Sequence, residues 1–180
     1  MLGRLGYSWG ETETEREARY PCDDLIAEPH QEAYRALDVH APAALVWRWL
    51  CQLRVAPYSY DWVDNRGRRS PQELTPGADE LEVGQRALVF FEIAGFERDR
   101  SLTLYAAQSR FGELAVGYLV TPLTDDRSRL LAKVIVRYPN GARAMRRVPP
   151  LGDLVMMRKQ LRTLKRLAER DHERSLGGAA

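Results

Sequence analysis

One switch of period constrains this chain more than any other feature of it. In the strand-length segments between residues 101 and 138 apolar side chains recur at every second position, and from Leu154 they recur at every third or fourth. Period two belongs to strands with a buried face, and steps of three and four belong to an amphipathic helix. Leu154, Met157, Leu161, Leu164 and Ala168 therefore predict a helix from 154 to about 171, with Arg158, Arg162, Lys165, Arg166 and Arg170 on its outer side. Pro149 and Pro150 stop the strands before it, and Asp153 is placed to cap its first turn.

Four strands are predicted ahead of that helix, over 87–93, 101–107, 114–120 and 129–138. The polar turns at 96–100 and 125–126 are short, which implies an antiparallel meander. An earlier strand over 33–39 sets Ala33, Arg35, Leu37 and Val39 against Tyr34, Ala36 and Asp38. Pro42 ends it and opens a helix to about residue 54, because a proline's missing N–H is an orphan in a first helical turn anyway. That helix is apolar nearly all round, with only Arg48, Gln52 and Arg54 as a polar stripe, so it must be covered on more than one side. The order is strand, helix, several strands, long helix. This predicts an α+β domain whose terminal helix lies across one face of an antiparallel sheet.

Residues 1–19 offer little to bury, since Glu11, Glu13, Glu15 and Glu17 alternate with Thr and Arg. They are expected to be poorly ordered, with a single domain over 20–172 and a flexible tail over 173–180. A chain of 180 residues, 44% hydrophobic and 29% charged, can bury one core without staples. Two cysteines make neither a disulfide framework nor a zinc quartet. No apolar run reaches the ~18 residues that a membrane span needs. The start lacks the apolar stretch of a secretory signal, so a cytoplasmic location is expected. Charge is unevenly spread: residues 1–126 carry 13 Lys/Arg and 21 Asp/Glu, and residues 127–180 carry 14 and 4. The reading favoured here is a basic helix lying against an acidic remainder of its own chain.

The segment Leu37-Asp38-Val39-His40-Ala41-Pro42, followed by Val46-Trp47-Arg48-Trp49-Leu50, resembles the opening strand, Ala-Pro turn and first helix of the SRPBCC superfamily. This superfamily is also called START-like or polyketide cyclase/dehydrase-like. Tyr58-Ser59-Tyr60-Asp61-Trp62 is similar to an aromatic segment of one bacterial branch, and Val83-Gly84-Gln85-Arg86 to the Val-Gly-Asp-Arg that precedes the next strand. Gln85 stands where Asp is usual, and Arg48 where a proline is common. The resemblance implies the helix-grip fold, a curved antiparallel sheet wrapped around a long C-terminal helix with a cavity between them. It does not imply one activity.

The chain lacks His-Glu-x-x-His, Gly-x-Ser-x-Gly and the glycine-rich phosphate loops, so no cofactor and no metal is expected. What remains is an apolar chamber with a few polar groups, the usual form of a small-molecule site. Trp49, Tyr58, Tyr60, Trp62, Phe90, Tyr118, Met157 and Leu161 are the candidate wall residues. Glu92, Asp61 and Tyr60 are the candidate acid–base groups, Glu92 only if it faces the cavity with Phe90. The leading reading is a protein that binds a small hydrophobic molecule. The alternatives are a cyclase or dehydratase-like enzyme, and an interaction protein using its basic terminal helix. No specific nucleic acid is expected, because the basic stretch around Arg143, Arg146 and Arg147 has no interleaved aromatics.

Overall fold

The computed structural model describes residues 8–29, 31–60, 62, 67–109, 112–139 and 151–178. Seven strands form one sheet: β1 (Ser8–Trp9), β2 (Gln31–Val39), β3 (Arg86–Ala87), β4 (Phe91–Glu97), β5 (Ser101–Ser109), β6 (Gly112–Thr124) and β7 (Arg127–Arg137). Their order is β1-β2-β7-β6-β5-β4-β3, antiparallel throughout except that β1 runs parallel to β2. The α-helices whose bounds fall among the described residues are α1 (Glu13–Glu17), α2 (Ala43–Cys51) and α3 (Leu151–Gly177). A 3-10 turn, Gln52–Arg54, continues α2.

The alternation read in the sequence decides which face meets the helices. Ala33, Leu37 and Val39 of β2, Val116, Tyr118 and Val120 of β6, and Leu130, Ala132 and Val134 of β7 all point inward. They share one core with Leu161, Leu164, Leu167 and Ala168 of α3. Burying a leucine of this kind fully contributes roughly 1.5–3 kcal/mol. As its all-round apolarity requires, α2 is buried on Val46, Trp47, Trp49, Leu50 and Cys51.

The outer face is covered too. Tyr20, Cys22 and Ile26 lie against Tyr34, Ala36, Ala115, Leu131 and Ile135. A Cβ on Gly117 would stand 2.9 Å from the Cys22 sulfur, so glycine lets the arm lie flat there. Lys133, buried beneath the arm, places Nζ 2.7 Å from Asp23 and 3.5 Å from Glu32, over the rings of Tyr20 and Tyr34. Burial acts to lower its pKa, but Asp23 and Tyr34 outweigh that and raise it.

Four expectations differ from this architecture. The N-terminal stretch is folded from Ser8: α1 opens with a Thr12–Glu15 capping box, and Arg129 grips both Glu15 and the Gly10 carbonyl. Apart from Trp9 its anchors are polar, so apolar content did not announce it. The strand expected over 87–93 breaks, because Leu88 and Val89 are left-handed (φ 45° and 71°) and Phe90 N–H bonds back to the Leu88 carbonyl. Pairing in β4 runs through Glu97, past the predicted start of the turn at 96. Finally, α3 begins at Leu151, so Asp153 lies inside its first turn, and it runs on through the expected tail to Gly177. Ion pairs from Arg170 and Arg174 to Glu73 support that extension.

Candidate functional site

The inner layer between sheet and helices carries one hydrogen-bonded polar line. Tyr118, fully buried on β6, donates its hydroxyl to Gln160 Oε1 of α3 at 2.7 Å. Gln160 Nε2 in turn donates to the Pro57 carbonyl at 2.7 Å. Sheet, helix and the segment after α2 are thereby joined, as a buried phenol in an apolar layer requires. Trp49 lies nearby in the same core, its indole N–H on Asp171 Oδ2 at 3.1 Å and its ring edge-on to Tyr58 at 6.1 Å.

Pro57 also borders a half-open pocket of about 220 Å³. Its other walls are the 3-10 turn region, from Leu53 to Ala56, and the turn that follows β3, from Arg86 to Val89. The two walls are tied by the Leu88 N–H on the Leu53 carbonyl at 3.1 Å. Backbone strain gathers here. Leu88, Val89 and Tyr58 (φ 56°) are all left-handed and none is glycine, a conformation that for a β-branched valine is a genuine outlier. Apolar surface gathers here as well: Val55 is 42%, Val89 63% and Phe90 51% exposed. Phe90 stacks on Phe91, which turns into the core.

A second pocket, of about 400 Å³, opens on the outer face between Ala18, Tyr20, Leu119, Leu123 and Leu131. The charges that border it are already matched: Arg129 binds Glu15 at 2.7 Å and Asp38 at 3.0 Å.

The sequence-derived site residues distribute unevenly over this frame. Trp49, Tyr58, Tyr118, Met157 and Leu161 are buried together in the inner core. Phe90 and Glu92 are both exposed, so neither faces the interior, and the desolvated carboxylate of the acid–base reading is not found at Glu92. Trp62 is 78% exposed rather than packed on α2. Tyr60 is half-buried, and Asp61 lies outside the described residues, as do Arg143, Arg146 and Arg147. Sequence reasoning missed Gln160, and it placed Arg35 on the face of Ala33 and Leu37 without reading that the side chain is fully buried there. Each left a signal: Gln160 interrupts the apolar stripe between Met157 and Leu161, and Arg35 occupies an inward position between Ala33 and Leu37. Burial pushes the thiols of Cys22 and Cys51 up to about 12, so neither is a nucleophile at neutral pH. Among the described residues no group of three or more His, Cys, Asp or Glu side chains is arranged to hold a metal ion. No helix among them is long and apolar enough to cross a membrane.

No protein-family model and no curated protein matches this sequence. Solved structures do match. Hypothetical protein jhp0584 from Helicobacter pylori aligns over 83% of this chain and 95% of its own, with 18% identity and a TM-score of 0.52. Protein NE0264 from Nitrosomonas europaea aligns over 81% and 98%, with 13% identity and a TM-score of 0.52. A START superfamily protein from Mycobacterium smegmatis aligns over 79% and 97%, with 12% identity and a TM-score of 0.45. A seven-stranded, mostly antiparallel sheet closed on one face by a long terminal helix, the helix-grip arrangement, is the architecture of this chain, and the solved structures from Helicobacter pylori and Nitrosomonas europaea are similar to it in fold.

Proposed function

We propose that this chain binds a small, predominantly apolar molecule on the helix side of its sheet, with the pocket beneath the turn at residues 88–90 as the mouth. The observation that carries this reading is the coincidence of strain and apolar exposure at one place. Three left-handed non-glycine residues bracket the pocket, and Val55, Val89 and Phe90 hold apolar surface open to water beside it. Strained backbone of this kind costs on the order of 1–3 kcal/mol per residue and concentrates where ligands are clamped. Exposed apolar clusters likewise mark binding grooves.

At about 220 Å³ the pocket lies below the ~300–1,000 Å³ of drug-sized sites. The ligand is therefore small, or part of it stays outside. Leu53, Ala56, Leu88 and Val89 supply apolar contact, and Trp49, Met157 and Leu161 form the firm core behind them. The Tyr118–Gln160–Pro57 line fixes the Pro57 side of that wall.

Native mass spectrometry of protein purified under non-denaturing conditions tests the reading. A defined mass increment is expected that organic extraction removes and that Val89→Glu diminishes. A bare polypeptide mass, together with no saturable fluorescence change on titrating the neutral naphthalene dye prodan, would end it.

A further inference from the structure

The cations of α3 fall into two groups. Past Thr163 each meets an oxygen. Lys165 pairs with Glu169 at 3.1 Å, Arg166 donates to Gln72 Oε1 at 3.0 Å, and Arg170 and Arg174 reach Glu73 at 3.4 and 3.1 Å. Before Thr163, Arg158 and Arg162 have no carboxylate partner among the described residues. Both instead lie over one indole, with their guanidinium carbons 4.9 and 5.2 Å from the centre of the Trp9 ring. Nε of Arg158 is shut off from solvent and has no hydrogen-bond partner among the described residues.

Trp9 is held where it is. Parallel register sets it beside Arg35, on the inner side of the sheet, and its ring packs against the core. Gly10 follows it with φ 81°, and a Cβ there would come within 2.2 Å of the Ala36 carbonyl oxygen. Only glycine lets β1 leave β2 this closely, and Arg129 then clamps the Gly10 carbonyl at 2.6 Å.

Two like charges one helical turn apart repel. The indole face answers part of that repulsion. It offers the in-plane N–H groups of the two guanidinium forks no carboxylate among the described residues, and such forks match the oxygens of an oxyanion. Lys159, exposed on the same stretch, adds further positive charge.

We propose that Arg158 and Arg162, held on Trp9, form a binding site for a phosphate-type oxyanion. The site lies by the β1 edge of the sheet, whereas the apolar pocket borders β3 at the opposite edge, so the two are independent.

Arginine Nε–H spectra of the ¹⁵N-labelled full chain, titrated with inorganic phosphate against sodium chloride at matched ionic strength, test this. Saturable shifts of the Arg158 and Arg162 signals are expected with phosphate. Arg162→Gln should bind about tenfold more weakly, the loss of one charge-assisted contact. Arg166→Gln, one turn on and exposed, should bind as the parent does. Vesicles of phosphatidylcholine with and without phosphatidic acid identify the source. Sedimentation with phosphatidate vesicles that Arg162→Gln weakens assigns the oxyanion to a lipid headgroup, and a response to inorganic phosphate alone assigns it to a small molecule. Equal shifts in chloride, equal losses in Arg162→Gln and Arg166→Gln, or silence toward both phosphate and vesicles would overturn the proposal.

Discussion

The two faces of the sheet are both buried, by opposite means. Inside, helices meet the sheet mostly carbon against carbon, with the Tyr118–Gln160 hydrogen bond buried among them. Outside, an irregular arm is fastened by charge: Lys133 on Asp23 and Glu32, and Arg129 on Glu15, Asp38 and the Gly10 carbonyl. The difference teaches that a regular cover can rely on area alone. An irregular one, with fewer side chains in register, needs directional bonds to fix where it lies.

Substitutions on each face sharpen that contrast. The largest effect is expected inside. Leu161→Ala should remove about 3 kcal/mol, or about 9 °C of Tm, and should raise amide exchange through α3 and the sheet together. Calorimetry and hydrogen exchange check it. Lys133→Met should remove about 2 kcal/mol, less than a fully enclosed pair because Asp23 and Glu32 are partly exposed. Its damage should stay local. Cys22, on the sheet-facing side of the arm, should become reactive to Ellman's reagent at pH 8, while Cys51 in α2 stays inert as in the parent, where burial holds both thiols at about 12. Equal exposure of the two thiols would break the contrast.

Smaller effects test the finer links. Tyr118→Phe should remove about 1 kcal/mol, read from urea midpoints at an unchanged slope. The smallest concerns pH. The Arg129 hydrogen bond holds the Glu15 carboxyl below its ordinary 4.5, against the opposing pull of burial. A carboxyl lowered in the folded state contributes stability that is present above pH 4.5 and lost as pH falls through the folded value. Amide shifts of residues 10–16 should therefore change on acidification below 4.5 before those of the inner core do.

The same contrast explains what was legible in the sequence. Inner-face residues declare themselves by period: Leu130, Ala132 and Val134 alternate, and Leu161, Leu164 and Ala168 step by three and four. That was enough for the order of elements, the covering of α2 on more than one side, and the burial of Tyr118 and Met157. The arm's anchors are long-range polar pairs, such as Glu15 with Arg129, and no periodicity links residues so far apart. The turn at 88–90 was hidden for another reason. Leu88, Val89 and Phe90 have strong strand propensity, and tertiary closure onto Leu53 overrides it. The condition set on Glu92, that it face the cavity with Phe90, is therefore not met: it lies on the exposed side of β4. Trp9 was passed over because its neighbours are polar, although an indole beside a glycine is itself a sign of close packing.

The account depends on the apolar site lying on the helix side, beneath the strained turn. Amide spectra of the intact chain titrated with prodan test this most directly. Shifts centred on Leu53, Ala56, Leu88 and Val89, spreading to Tyr118 and Gln160, are the predicted result. Shifts centred instead on Tyr20, Leu119, Leu123 and Leu131, around the outer pocket, would contradict it.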